Sequence, residues 1–352
     1  MATMLACAPM YVLGIETSCD DTSLCLLKGV AGARPEILAH TRFSQDTILR
    51  EWGGVVPEIA ARNHLAKLAP LISETFSKTD LKIDDVDLIG VTTHPGLLGP
   101  LLTGLNAAKT LALLYKKPIY CVNHLHAHLE AIHLSQEVSY PYLGLVVSGG
   151  HTLFMLVRGP NDFEPIGSTL DDAAGEAFDK GGKLLGLGYP AGVYIDQHAK
   201  NGNPKAFNFP IGIRDSKNSN FSFSGLKTSM RTYIEKFGIP TGQLLDDVCA
   251  SYQDAIVRAI VLKSRYAFAK AKELCGKNVR LVVGGGVACN SGLRTGLMTK
   301  YKETLFVEPK YCTDNGAMVA NLTLLNHDQA IAFPDCLSVD ARGRYIERKD
   351  FA

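Results

Sequence analysis

The sequence has no surplus of either charge. It carries 36 basic and 35 acidic residues, a formal net charge of +1, so overall charge gives no support for non-specific binding to nucleic acid. A nucleic-acid partner would have to be held by a local patch or through another protein. The sequence also lacks any C-x-x-C pair. Its cysteines number nine, which leaves one over in any pairing, and most lie in apolar surroundings. This argues against a disulfide framework and for a reducing compartment. No apolar run approaches the length of a membrane span. Residues 1–15 carry no charge, so they have neither the basic start of a signal peptide nor the arginines of a mitochondrial presequence. The expectation is a cytoplasmic protein, with the mitochondrial matrix, after removal of a presequence, as the alternative.

What is present is an ordinary globular composition. Hydrophobic residues make up 46% and charged residues 20% of the 352, enough for a sizeable core and for two domains or one large one. Strand-like runs alternate with helical patterns, and small-residue turns sit at the strand ends, which indicates an α/β chain. Tyr11–Glu16, the polar turn Thr17-Ser18-Cys19-Asp20-Asp21-Thr22-Ser23 and Leu24–Lys28 read as strand, turn, strand. Tyr142–Val147, Ser148-Gly149-Gly150-His151-Thr152 and Leu153–Val157 repeat that scheme. The repeat suggests an internal duplication into two similar lobes, with ligands bound where strand ends face a cleft.

The stretch around which the chain is organised is Asn123-His124-Leu125-His126-Ala127-His128. On a helix, His124 and His128 share a face and His126 lies away from them. Two imidazoles on one face can hold one metal ion; the other reading is a His-rich helix that meets solvent or is satisfied in a core. Leu125 stands where a zinc protease carries its glutamate base, which argues against a metallopeptidase. Thr313 or Asp314 can cap the helix that follows them, and Asp314 can equally supply the acidic third ligand that two histidines need. Val282-Val283-Gly284-Gly285-Gly286 into Asn290 is a strand, glycine run and helix where backbone can approach a nucleotide. The first turn, 17–23, can position a phosphate or an acid beside a metal, or serve as a plain hairpin loop.

Taken together and in order, Gly14–Asp21, the histidine helix, Val147–Thr152, Asp171–Lys180, Phe221–Thr228, Gly284–Asn290 and Thr313–Met318 resemble the universal tRNA threonylcarbamoyladenosine synthases, the TsaD family. The resemblance runs from about residue 11 to about residue 325. It implies a duplicated actin-like, Hsp70-like (ASKHA) ATPase fold with two lobes and a central cleft. The expected divisions are an N-terminal lobe over 1–138, a C-terminal lobe over 139–325 and a tail over 326–352 that packs back on the first lobe. It implies transfer of a threonylcarbamoyl group from threonylcarbamoyl-AMP to N6 of adenosine 37 in tRNAs reading codons that begin with A, with release of AMP. By match to the family's motifs, His124, His128 and Asp314 hold a divalent metal, Fe(2+) or alternatively Zn(2+). Val146, Val147, Ser148, Gly149, Gly150, Asp179, Gly192, Asp196 and Asn290 match the adenylate-binding positions. Asp20 matches an acid near the reacting groups and is the candidate general base.

Three positions depart from the family pattern: Asp21 replaces a common Glu, Ala191 a usual Gly, and His126 stands where a Glu or another residue is common. The implied partners are tRNA and, for a bacterial member, a fold-related TsaB-like subunit and a TsaE-like ATPase; a mitochondrial member would act as a homodimer. Candidate tRNA-binding cations are Lys109, Lys116 and Lys117, the Lys263–Lys277 helix and the basic tail. The rival readings are a small-molecule kinase or ATPase of the same fold, which leaves the histidine pair unexplained, and a non-catalytic partner subunit, which should lack that pair and the Asp314 helix start.

Overall fold

The computed structural model describes residues 8–52 and 54–344. Cys7, Gly53 and the basic end of the tail, Tyr345–Lys349, lie outside the described residues. In chain order the main elements are β1 (Met10–Glu16), β2 (Asp21–Gly29), β3 (Glu36–Ser44), α1 (Asp46–Arg50), α2 (Pro57–Ser77), β4 (Leu88–His94), α3 (Leu98–Tyr115), β5 (Ile119–Asn123) and α4 (His124–Glu130). There follow β6 (Tyr142–Val147), β7 (Thr152–Gly159), β8 (Asp162–Ser168), α5 (Ala174–Leu184), α6 (Ala191–Ala199), α7 (Ser224–Phe237) and α8 (Gln243–Cys275). The chain ends with β9 (Leu281–Gly284), α9 (Ser291–Lys300), β10 (Leu305–Phe306), α10 (Pro309–Cys312) and α11 (Gly316–Leu325).

The chain forms two compact units. The first takes in the described residues up to Thr47, Val55–Glu137 and those from Asp314 onward; the second takes in Ile48–Gly54 and Val138–Thr313. The first holds a five-stranded sheet in the order β3-β2-β1-β4-β5, and the second one in the order β10-β9-β6-β7-β8. In each, a three-stranded antiparallel meander continues into two parallel strands. The expected duplication is therefore real at the level of topology.

In the first unit β4 is buried along its whole length, as a parallel strand covered on both faces must be. One core joins β1, β2 and β4 to Leu68 and Leu71 of α2 and to Leu101, Leu105 and Ala108 of α3. Helix α11 is buried at every position from Gly316 to Leu324 and packs on β1, β2 and β4. It approaches closely because Gly14 and Gly90 carry no side chain: a methyl at Gly14 would lie 2.6 Å from Ala320 N, and one at Gly90 2.8 Å from Thr323 Cβ. This packing puts 314–325 with the first unit, where the sequence-based division had it in the second lobe. The tail returns to the same unit through Ile119 and Ile331, which exchange backbone hydrogen bonds of 3.0 and 2.8 Å, and Cys336 and Ala341 enter its core.

In the second unit the 33-residue α8 anchors the irregular segment 200–220. Lys263 is buried, and its ammonium donates to Ile213 O (2.8 Å), Ser216 O (2.9 Å) and Ser216 Oγ (2.7 Å). It is a clamp for that segment, so it is removed from the candidate tRNA-binding cations: a buried ammonium survives only with such acceptors.

Candidate metal centre and glycine turns

Strand β5 passes straight into α4. Asn123 caps the helix, its side chain accepting from Leu125 N (2.9 Å) and His126 N (3.3 Å). This fixes the first turn, so that His124 and His128 emerge on one face with ring centroids 4.6 Å apart. Their Nε2 atoms are 3.1 Å apart. Asp314 Oδ1 lies 3.1 Å from His128 Nε2 and 3.4 Å from His124 Nε2.

The cap of α11 is neither Thr313 nor Asp314. Asn315, extended at φ −158°, accepts from Met318 N at 2.9 Å. With Asn315 serving the helix, the Asp314 carboxylate is released to face the two rings. The N-terminus of α11 is itself fixed to the sheet, because Gly316 N donates to Ser23 Oγ at 3.0 Å.

These three donors fit a metal ion. An ion with bonds of about 2.0–2.2 Å sets its donor atoms roughly 3–3.6 Å apart, which is the spacing observed. The donor set, two imidazoles and a carboxylate, suits a divalent first-row ion. His126 takes no part. Burial, with His94 adding to it, lowers its pKa to about 3, as for an imidazole kept neutral away from the cluster.

The electrostatics of the cluster come from opposed effects. Burial works against a charge on His124, but Asp314 and Glu16 outweigh it and carry its pKa to about 10. Burial and the neighbouring His124 hold His128 below the ordinary imidazole range. Burial would raise Asp314, yet the two histidines hold its carboxyl well below the usual carboxylate range.

Glu16, at the end of β1, is the functional neighbour that reading the sequence missed. It is fully buried. One carboxylate oxygen accepts from Ser18 N (2.5 Å), the other from Thr92 Oγ1 (2.5 Å), and the second also lies 3.3 Å from His124 Nδ1. The available signal was an acid ending an otherwise apolar strand, a place where a charge must find partners.

Beyond Glu16, the turn 17–20 is held from two sides. Leu97 N donates to Ser18 O at 2.8 Å. On α2, His64 Nε2 donates to Cys19 O (3.0 Å), which leaves its Nδ1 to accept from Thr22 Oγ1 (2.8 Å). Asp20 is half-buried, and burial followed by the charge of Asp314 raises its pKa to about 6. Asp21 is raised to about 7, mainly by burial, even though Arg42 pairs with it at 2.6 Å.

The expected adenylate-binding residues all fall in the second unit. Val146 and Val147 end β6, and Ser148-Gly149-Gly150 turn back into β7. Gly149 and Gly150 have no heavy atom near the place a Cβ would take, so their backbone stays open to close approach. Gly175 N donates to Ser148 O at 3.2 Å, which ties the N-terminus of α5 to the turn. Gly285, at φ +93°, lies with its Cβ position 2.8 Å from Val147 C; both the backbone angle and the contact require glycine there.

The polar members of the set hold neighbouring backbone. Asp179 accepts from Ala191 N at 2.7 Å, and Asp196 accepts from Ser291 Oγ at 2.7 Å and Ser291 N at 3.2 Å. Asn290 caps α9 by accepting from Leu293 N (2.8 Å) and donates to Gln253 (2.6 Å). Gly192 lies in the first turn of α6, where Pro190 is the cap residue, and not in a loop that closes the preceding helix.

Comparison with known proteins places this architecture. The chain is similar to the crystal structure of T. kodakarensis HypF, with a TM-score of 0.58 at 14% identity over 92% of this chain and 49% of that one. It is also similar to the Acidaminococcus fermentans (R)-2-hydroxyglutaryl-CoA dehydratase component A, with a TM-score of 0.51 at 18% identity over 89% and 96%. At such identities the likeness is one of fold. With the duplicated sheets, it defines an ASKHA-type α/β protein, here carrying a His-His-Asp cluster.

The sequence relatives are closer. A tRNA N6-adenosine threonylcarbamoyltransferase of Anaeromyxobacter sp. (strain Fw109-5) is 48% identical over 317 residues, 88% of this chain and 92% of that protein. Those of Geobacter sulfurreducens and Methylorubrum populi are 45% and 41% identical, over 88% and 96% of this chain and 90% and 97% of theirs. The family model for TsaD, tRNA N6-adenosine threonylcarbamoyltransferase, matches residues 36–321. The chain belongs to the TsaD family.

Proposed function

We propose that this protein transfers the threonylcarbamoyl group from threonylcarbamoyl-AMP to N6 of adenosine 37 in tRNAs that read ANN codons, releasing AMP. The observation that carries this reading is the His124–His128–Asp314 cluster, formed in a chain that belongs to the threonylcarbamoyltransferase family along most of its length. A kinase reading of the same fold leaves the histidine pair unexplained.

The reaction forms a bond from N6 to the carbamoyl carbon and breaks the bond from that carbon to the phosphate oxygen. The amine loses a proton and AMP departs as the leaving group. The carbonyl is already activated as a mixed anhydride, so the work of the enzyme is to orient a weak nucleophile, stabilise charge and accept one proton. Ser148-Gly149-Gly150 offers open backbone to the adenylate, and Asp179, Gly192, Asp196 and Asn290 shape its seat by fixing the starts of α6 and α9. Asp20, with a pKa near 6, is ionised at neutral pH and takes the proton from N6. When bound, a divalent metal held by His124, His128 and Asp314 supplies a Lewis acid and a template for phosphate and carboxylate oxygens. The donor set accepts iron and zinc alike; Fe(2+) is our assignment.

The relatives at 41–48% identity are bacterial, which supports a cytoplasmic protein working with a TsaB-like subunit and a TsaE-like ATPase. No helix among the described residues is long and apolar enough to cross a membrane. The test is a transfer assay with threonylcarbamoyl-AMP, unmodified tRNA and the partner proteins, with nucleosides read by mass spectrometry. Modified adenosine from the wild type and none from His124→Ala/His128→Ala is the expected result. Product that survives in the variant would reduce the histidines to structure, and no product from the wild type would return the kinase and non-catalytic readings.

A further inference from the structure

Beside the His124–His128–Asp314 cluster lies a second carboxylate, the buried Glu16. Glu16 is 0% exposed; Ser18 N donates to one oxygen and Thr92 Oγ1 to the other, and that second oxygen also faces the His124 ring. Of the His124 ring, Nε2 faces His128 and Asp314, while Nδ1 faces Glu16 at 3.3 Å and Ser18 Oγ at 3.1 Å. An imidazole can offer a lone pair at Nε2 while neutral only if its proton sits on Nδ1. A carboxylate at Nδ1 is the partner that keeps the proton there and raises the basicity of the opposite nitrogen. A hydroxyl at Nδ1 can donate or accept, so it does not decide the tautomer.

From this geometry we infer that Glu16 is the positioning residue of the metal site: it holds the proton of His124 on Nδ1, so that Nε2 is presented as a metal ligand. The inference rests on the metal reading of the His124–His128–Asp314 cluster. Charge supports it. With a cation bound and both imidazoles neutral, Glu16 and Asp314 bring two negative charges to a buried place, and these offset the charge of a divalent ion. Without Glu16 the same cation would leave a net positive charge there. The route from Glu16 also leads outward: Thr92, on the neighbouring strand β4, donates to the same oxygen that faces His124. The parallel pairing of β1 with β4 thereby sets the orientation of a ligand on α4.

The experiment measures metal binding, independent of turnover. Apo protein is titrated with Co(2+) and Zn(2+) against a chelator, and the Co(2+) absorption spectrum is recorded, for the wild type and for Glu16→Gln, Ser18→Ala and Thr92→Val. Glutamine keeps the volume but removes the charge, and its NH2 must oppose either Ser18 N or the Thr92 hydroxyl and His124 Nδ1, so it weakens or reverses the hold on the His124 proton. The expected result is an affinity loss of about 10–100-fold and a changed Co(2+) spectrum in Glu16→Gln. Thr92→Val should lose about threefold to tenfold, since the carboxylate stays but loses one of its anchors, and Ser18→Ala should lose less than threefold.

Glu16→Gln binding within threefold of wild type, with the same spectrum, overturns the role of Glu16. A loss in Ser18→Ala as large as in Glu16→Gln assigns the proton to the hydroxyl and overturns it too. If Glu16→Gln does not fold, Thr92→Val decides: unchanged affinity there overturns the inference. A wild type that binds neither metal refutes the metal reading itself, which is a different outcome from a wild type and a Glu16→Gln variant that bind alike.

Discussion

His128 is fully buried, and its Nε2 lies 3.1 Å from both His124 Nε2 and Asp314 Oδ1. No other donor among those atoms can replace it. His128→Ala is therefore expected to lower metal affinity by about a hundredfold or more and to abolish transfer; metal content after dialysis and the nucleoside assay measure the two effects separately. Asp20 makes a different prediction. Burial first, and then the negative charge of Asp314, raise its pKa to about 6, and a general base must be ionised. The transfer rate should rise with pH up to an inflection at or below about 6, because a bound cation would pull the value downward. Asp20→Asn should remove that limb and slow transfer by about 10²–10⁴-fold, as read from single-turnover rates between pH 5 and 8. An Asp20→Asn enzyme that keeps both limb and rate would leave Asp20 as a member of the turn. At this scale the sequence was legible where a rule is local. The i, i+4 spacing put His124 and His128 together and sent His126 elsewhere, and the structure agrees. For Glu16 the sequence showed only an acid ending an apolar strand; its place beside His124 was illegible, because Thr92 and His124 sit on β4 and α4, 76 and 108 positions away, and no spacing rule reaches so far.

Helix α11 joins the cluster to the sheet. Its residues are apolar nearly all round and buried from Gly316 to Leu324, as in a helix enclosed by other elements. It is held at its start by Asn315 and Ser23 and along its length by Asn321, whose amide donates to Glu130 O at the end of α4 at 2.9 Å. Asp314 is aimed by this packing, so a change under the helix should be felt at the metal. A methyl at Gly14 would meet Ala320 N at 2.6 Å and Ala320 Cβ at 2.8 Å. Gly14→Ala is expected to push α11 off β1, to cost about 1–3 kcal/mol by overpacking, and to weaken metal binding although residue 14 touches no ligand. Urea denaturation and a chelator titration on the same preparation check both parts; lost stability with unchanged affinity would show that α11 gives locally and leaves Asp314 in place. The helix itself was visible in the sequence, but its cap was misread. Thr, Asp and Asn are all good cap residues, and Thr313-Asp314-Asn315 offers them in succession. Only the backbone, extended at Asn315, decides among them. The buried Lys263 misled for a similar reason: on a long helix a lysine reads as solvated, and the carbonyls of Ile213 and Ser216 that hold it come from a distant irregular segment.

Over the whole chain, the duplicated order of strands was legible because the strand-turn-strand signal occurs twice, while the return of 314–344 to the first unit was not, since nothing in a local pattern says which sheet a late helix covers. That return concentrates buried titratable groups in one unit, and their linkage to acid can be worked out. Burial, then Arg42, lowers the pKa of His40 to about 4, and burial, then Arg342, does the same for His94. An imidazole with a folded pKa below its unfolded value of 6.5 gives stability that is present above about pH 6.5 and is lost as pH falls towards 4. Asp20 and Asp21, raised to about 6 and about 7, act with the opposite sign. Each penalises the fold above its folded pKa, and the penalty is relieved as pH falls towards the unfolded value near 3.8. Each shift corresponds to a few kcal/mol at most, and the two pairs oppose each other between pH 6.5 and 4. In metal-free protein, single variants should therefore change the acid dependence of the urea midpoint in opposite directions. Asp21→Asn removes a gain on acidification, so its midpoint should fall relative to wild type as pH drops from 7 to 4.5. His94→Gln removes a loss, so its midpoint should rise relative to wild type over the same interval. Near-UV circular dichroism at four or five pH values is enough to read both slopes. Slopes of the same sign in the two variants would mean that the acid response is governed by groups other than these four. Opposite slopes would place a share of the acid response at the start of β2 and the end of β4, strand ends close in sequence to Glu16 and its partner Thr92.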